Sequence, residues 1–166
     1  TGENKIELVV VNPGPIYGPT LTGNLATEAM DFFKKLITGQ VPMLPKAYSV
    51  MSDVRDVATI HVAALENEKA NGKRFIVTSE KPYAIQEIAK ILKANGYDKV
   101  STRLAPTFLL KFIANFNDEM KGMLPFVGNT IEADISNTMN AFNWRPINFE
   151  KTVIDTAKSV KQAINK

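Results

Sequence analysis

Hydrophobic and polar positions change rhythm several times along the chain, and each change predicts an element. "KIELVVV" is a continuous, β-branched apolar run of the kind found in a strand buried on both faces, and it predicts a strand over residues 5–12. It ends in "NPGPIYGPTLTGN", a loop of unusual length that is both stiffened by proline and loosened by glycine. Leu25, Ala29, Phe32, Phe33, Leu36 and Ile37 then recur at helical spacing and predict a helix over 25–38, capped at Gly39. "YSVMSDV" reads as a short strand, after which Asp53 or Ser52 can cap a helix whose apolar face is Val54, Val57, Ala58, His61 and Leu65. Asn71-Gly72 turns the chain into the strand "RFIVTS", and a helix with Ile85, Ile88, Ala89 and Leu92 on one face closes at Asn95-Gly96. Strand and helix in alternation are the grammar of a parallel α/β sheet.

Beyond residue 100 the grammar becomes mostly helical. "STRLA" predicts a short strand, and Pro106 can open a helix carrying Phe108, Leu109, Phe112, Ile113 and Phe116. Residues 122–130 read as loop and "EADISNTMNAFNWRP" as a small helical turn before Pro146. Phe149, Val153, Ala157, Val160 and Ile164 build a last amphipathic helix. A strand buried on both faces needs neighbours, so one placed this near the front of the chain predicts that sheet preceding it is missing.

Composition narrows the function classes. With 166 residues, 45% of them hydrophobic, the chain is long enough to bury a core. The net charge of +3 is spread among acids, with no basic block interleaved with aromatics, so a nucleic-acid partner is not expected. The absence of cysteine removes disulfides and thiolate chemistry and fits a cytoplasmic setting. No apolar run approaches the ~18 residues of a membrane span, and no membrane partner is expected.

Direct searches for chemistry return little. Metal sites need several converging ligands, and the single histidine, His61, falls on the apolar side of its helix, where a hydrogen-bonded core histidine is expected. No Gly-x-Ser-x-Gly elbow is present. Glycines 14, 18 and 23 are not spaced as Gly-x-Gly-x-x-Gly. Asp53 is expected to cap its helix and Asp56 to place negative charge in the first turn, where the helix dipole favours it. Arg55 between them is open to three readings: solvated surface, a partner for those acids, or a group reaching toward a bound anion.

"VVVNPGPIYGP", then "SDVRDVATIHVAALE" and "GKRFIVTSE", in that order and spacing, resemble the extended short-chain dehydrogenase/reductase superfamily. Within it they look most like the dihydroflavonol reductase and aldehyde reductase-like branch. The resemblance covers residues 1–95 with distinctive motifs; "FNWRPINFEKTVIDTAKSV" is similar in pattern only.

The resemblance implies a fold: the C-terminal part of a Rossmann-like, doubly wound parallel sheet in residues 1–100, with a small, mostly helical substrate lobe in 101–166. It further implies NAD(P)(H) as cofactor and a small carbonyl compound as substrate. The backbone around Pro13, Gly14 and Ile16 would contact the nicotinamide and Thr22 would approach the phosphates. Tyr17, Leu21 and Tyr48 would line the substrate side, helped by the segment 106–125. The chain departs from the family in lacking both the Gly-rich turn and the Tyr-x-x-x-Lys pair, since Tyr17, Tyr48, Tyr83 and Tyr97 are followed four positions on by Leu21, Ser52, Glu87 and Ser101. The expectation is therefore an inactive C-terminal piece of a reductase, whose first strand would pair with the missing N-terminal half or, in isolation, with a second copy. A nucleotide-sugar epimerase or dehydratase piece and a non-catalytic binding module are the alternatives.

Overall fold

The computed structural model describes residues 6–116 and 118–165; Lys5, where the first predicted strand begins, and Asn117, within the predicted substrate segment, lie outside them. In chain order the elements are β1 (Val10–Pro13), β2 (Ile16–Tyr17), α1 (Glu28–Thr38), β3 (Tyr48–Ser49), β4 (Ser52–Asp53), α2 (Val54–Glu66), β5 (Arg74–Val77), β6 (Tyr83–Ala84), α3 (Ile85–Ala94), α4 (Thr107–Ile113), α5 (Asp118–Met123), α6 (Ser136–Phe142) and α7 (Phe149–Ile164). The fold is α/β, a parallel Rossmann-like core with flanking helices and a helical lobe.

Two parallel pairings form the frame. β1 runs beside β5 with Val10 opposite Arg74 and Pro13 opposite Val77, and β2 runs beside β4 with Ile16 opposite Ser52. An antiparallel pair, β3 with β6, closes the far side. The β-branched run that begins the chain is strand only from Val10, because its partner begins at Arg74. Ahead of it Leu8 accepts from the Gly72 amide at 2.8 Å, while Ile6 is left 94% exposed. Among the described residues the other edge of β1 has no strand beside it.

Two apolar cores flank this frame. The larger gathers Phe33 and Leu36 of α1, Ile88 and Leu92 of α3, and Val153, Ala157 and Val160 of α7. The last helix is thus packed between α1 and α3, as its 3.6-residue stripe predicts. The smaller core lies between α2, β5 and the 135–144 segment, with Val57, Ile60, Val77, Ile135 and Trp144. Caps fall where the sequence places them: Gly39 and Gly96 adopt φ of +80° and +83°, and Asp53 accepts from the Arg55 amide at 2.9 Å.

Several expectations are corrected. α2 buries Asp56, Val57, Ile60 and Ala64 and leaves Val54, Ala58, His61 and Leu65 exposed, so its inward face is rotated from the one the apolar pattern indicates. The cause is Asp56, a polar residue drawn inward by hydrogen bonds described below. His61 is consequently a surface residue, its Nδ1 2.7 Å from the Val57 carbonyl, and not a core histidine. "STRLA" makes only a bridge of Leu104 with Leu44. The predicted loop at 122–130 contains the end of α5 and a single 3₁₀ turn at Leu124–Phe126. The Phe108, Phe112 and Phe116 rings stand largely in solvent, because α4 rests on Leu110 and Ala114 instead.

Phe33 is fully buried and meets Tyr17 at 5.3 Å and Phe32 at 6.0 Å between ring centroids. Phe33→Ala is expected to cost about 3–5 kcal/mol, read as a lowered urea midpoint with unchanged slope.

Candidate functional site

β1 and β5 end side by side, and the chain leaves β1 through Pro13-Gly14-Pro15 above those carboxyl ends. In open α/β sheets this is where ligands bind. The loop is bolted down by one hydroxyl: Ser52 Oγ accepts from the Gly14 amide at 2.8 Å and donates to the Val77 carbonyl at 2.5 Å. The Ser52 amide in turn donates to the Pro15 carbonyl at 3.0 Å. A Cβ at Gly14 would stand 3.0 Å from the Val50 carbonyl and 3.2 Å from Thr78 Cγ2, so this glycine serves the approach of the protein's own backbone. Gly18 is more constrained, with φ of +127° and space for a Cβ only 2.7 Å from Val54 Cγ1. The loop is a fixed surface, held from beneath.

The predicted site residues divide. Pro13 and Ile16 lie exposed at the carboxyl edge with Gly14 half-buried between them, forming a small apolar shelf. Thr22 is exposed, accepting a 3.3 Å bond from the Asn24 amide, and Leu21 is fully exposed. Tyr48 is half-buried in β3, opposite Ala84. Tyr17 is buried beside Phe33, and burial pushes its phenol up to about 12, away from the range a proton-donating tyrosine needs. A separate shallow groove of about 280 Å³, between α3 and the start of α7 near Tyr83, Glu87 and Asn148, includes none of these residues.

Ser52, one of two expected caps for α2, leaves that role to Asp53 and fixes the loop instead, and its neighbours Asp53, Arg55 and Asp56 form a bonded cluster beside it. Arg55 forks onto Asp53, Nε to Oδ1 at 2.8 Å and Nη2 to Oδ2 at 2.7 Å, and its Nη1 reaches Asp155 of α7 at 2.7 Å. Thr152 donates to the same Asp53 Oδ2 at 2.7 Å, and Lys151 reaches Asp155 at 2.8 Å. Of the three readings of Arg55, partner to the acids is the one realised. Asp56 is buried and accepts from Trp144 Nε1 at 2.9 Å and from the Ile147 amide at 2.8 Å. Burial by itself raises the Asp53 carboxyl, but the bonds from Arg55 and Thr152 outweigh it and hold Asp53 below its ordinary value. Asp155 is held low first by Lys151 and then, against some burial, by Arg55. At Asp56 burial wins, and the carboxyl is pushed up.

Known proteins resemble the chain in part of its sequence and in its fold. Cinnamoyl-CoA reductase CAD2 of Medicago truncatula is 35% identical over 91 residues, 55% of this chain and 27% of that protein. The likeness is thus to a reductase, over about half of this chain. No family model matches this chain. The crystal structure of yeast methylglyoxal/isovaleraldehyde reductase Gre2 complexed with NADPH overlays with a TM-score of 0.67 at 21% identity, across 96% of this chain and 47% of that one. A nucleoside-diphosphate-sugar epimerase from Pseudomonas aeruginosa overlays at 0.72 with 12% identity, over 93% and 48%. At such identities the overlays speak for fold alone. The chain spans about half the length of these solved structures, and its match spans about a quarter of the curated reductase. No helix among the described residues is long and apolar enough to cross a membrane.

Ser52→Ala leaves the Gly14 amide without its acceptor and is expected to cost about 1–3 kcal/mol in urea unfolding. The acid limb offers a second test. Asp53 and Asp155 lie below the ordinary 3.8, so the stability they supply is complete above that pH and is lost as pH falls toward their folded values. Asp56, pushed up, acts in the opposite sense. Asp155→Asn is therefore expected to flatten the fall in urea midpoint below about pH 4.

Proposed function

We propose that this chain is the C-terminal portion of an NAD(P)H-dependent carbonyl reductase of the dihydroflavonol and aldehyde reductase-like branch. In this reading residues 1–100 supply the last strands of the dinucleotide-binding sheet and 101–166 the substrate lobe. α7 ties the two together through its packing on α1 and α3. The observation that carries the proposal is the Pro13-Gly14-Pro15 exit, fixed by Ser52 above the carboxyl ends of two parallel strands.

The residues present fit a nicotinamide in one respect and leave the phosphates to others. The exposed Pro13 and Ile16 offer an apolar shelf for a flat ring, and the Thr22 hydroxyl is open to solvent nearby in the chain. When bound, the reduced nicotinamide supplies hydride to a carbonyl carbon. This chain's part is to hold the ring's position and to exclude water from one side of it. The proton for the developing alkoxide needs a donor, and buried Tyr17 is poorly suited to give one. In this reading the Tyr-x-x-x-Lys pair comes from the remainder of the whole protein, whose sheet also covers the open edge of β1.

What the relatives' names say supports the carbonyl reading: cinnamoyl-CoA reductase, and methylglyoxal/isovaleraldehyde reductase with NADPH. The epimerase reading wants arginines gathered for a diphosphate. Arg55 is instead held between Asp53 and Asp155, and Arg74, Arg103 and Arg145 are exposed on separate segments.

Steady-state turnover of the whole protein with NADPH against a panel of aliphatic and aromatic aldehydes and ketones tests the proposal. Oxidation of NADPH with at least one carbonyl compound is expected; turnover of a UDP-sugar without net cofactor oxidation overturns the reductase reading in favour of the epimerase one.

A further inference from the structure

The Pro13–Asn24 loop is held at its first half by Ser52; its second half is held from the other end of the chain. α7 has two faces. Phe149, Val153, Ala157 and Val160 enter the main core, and Thr152, Thr156, Ser159 and Ala163, spaced by four, three and four residues, form a second stripe. That second stripe faces the loop. Thr156 Oγ1 accepts from the Gly18 amide at 2.8 Å and donates to the Thr152 carbonyl at 2.6 Å. Ser159 Oγ accepts from the Thr20 amide at 2.9 Å and lies 3.3 Å from the Thr20 carbonyl. Ala163 Cβ lies opposite Gly23, 3.7 Å from where a Cβ would stand. Successive turns of one helix therefore meet loop residues 18, 20 and 23 in register.

The chemistry of these contacts is specific. Gly18 adopts a backbone conformation open to few other residues, and its amide is buried, so it needs an acceptor at one place. Thr156 meets that need while its own proton is committed to Thr152, which leaves the hydroxyl lone pair aimed at the loop. Thr152 is itself bonded to Asp53, the cap of α2, so the hydroxyl stripe and the Asp53–Arg55–Asp155 cluster form one connected scaffold.

We infer that Thr156 and Ser159 are positioning residues for cofactor binding, fixing through the Gly18 and Thr20 amides the half of the loop that carries Thr22. The inference rests on the nicotinamide reading of the loop given above. It adds that the last helix, which meets the apolar core with one face, sets the cofactor wall with the other.

The experiment uses the whole protein and compares Thr156→Val, Thr156→Ser and Ser159→Ala with Val160→Ala, a change on the core face of the same helix. NADPH affinity is read by fluorescence titration, alongside KM and kcat with a saturating aldehyde and amide exchange at Gly18 and Thr20. Thr156→Val is expected to weaken NADPH binding by about tenfold, with faster exchange at Gly18 and a smaller change in kcat. Thr156→Ser keeps the acceptor and is expected to stay within about twofold of wild type. Val160→Ala lowers the melting temperature without altering the affinity of the folded protein.

Unchanged NADPH affinity in Thr156→Val, despite faster Gly18 exchange, overturns the positioning role while leaving the reductase reading intact. Equal losses of affinity in Thr156→Val and Val160→Ala also overturn it, by reducing the effect to general destabilisation. Wild-type protein that binds no NADPH at all removes the nicotinamide reading and this inference with it.

Discussion

The start of α2 is where this molecule is fastened together. Within five residues, Ser52, Asp53, Arg55 and Asp56 bond to the loop after β1, to β5, to the Trp144–Ile147 segment and to α7. Each of these partners is remote in sequence, and the Asp53–Thr152 and Arg55–Asp155 links alone join positions 99 and 100 apart. Carboxylates taken out of water are costly unless their oxygens are satisfied. Here each is: Asp53 by a guanidinium fork, a hydroxyl and a backbone amide, Asp56 by an indole and a backbone amide. The sheet end, the loop above it and the last helix take their relative positions from this cluster.

That dependence explains the division of labour between the two faces of α7. Apolar packing of α7 against α1 and α3 supplies the driving force but little direction, since an apolar stripe tolerates rotation and sliding. The hydroxyl stripe on the adjoining face permits neither, because Thr152, Thr156 and Ser159 each find their partner at one register. Stability comes from one face and address from the other.

What the sequence made legible follows from range. α1, α3 and α7, the parallel strand pair and the caps at Gly39, Asp53 and Gly96 are governed by local periodicity and local backbone bonds, and they stand where the pattern puts them. The inward face of α2 was illegible because a hydrophobic count assigns aspartate to solvent, whereas Trp144 and Ile147, some ninety positions later, draw Asp56 inside. The first strand starts later than its apolar run because parallel pairing begins only where β5 begins, at Arg74. At the candidate site, the proline-rich exit was visible and the hydroxyls that fix it were not, since serine and threonine on a helix carry no local mark of what they face. Leu21 and Tyr17, adjacent to that exit, go to opposite environments, one to water and one to the core, which spacing along a loop cannot foretell.

The pairing of Gly18 with Thr156 across 138 positions also imposes an order of events during synthesis. A ribosome delivers the proline-rich exit first and the helix that locks it more than a hundred residues later, at about 5–20 residues per second. For those seconds the nascent loop has its sheet-side anchor at most, and its backbone amides face water. A vectorially emerging polypeptide therefore acquires the finished loop surface only once that helix has emerged, and a nonsense codon anywhere ahead of Thr156 would forfeit it even if every residue of the loop were intact.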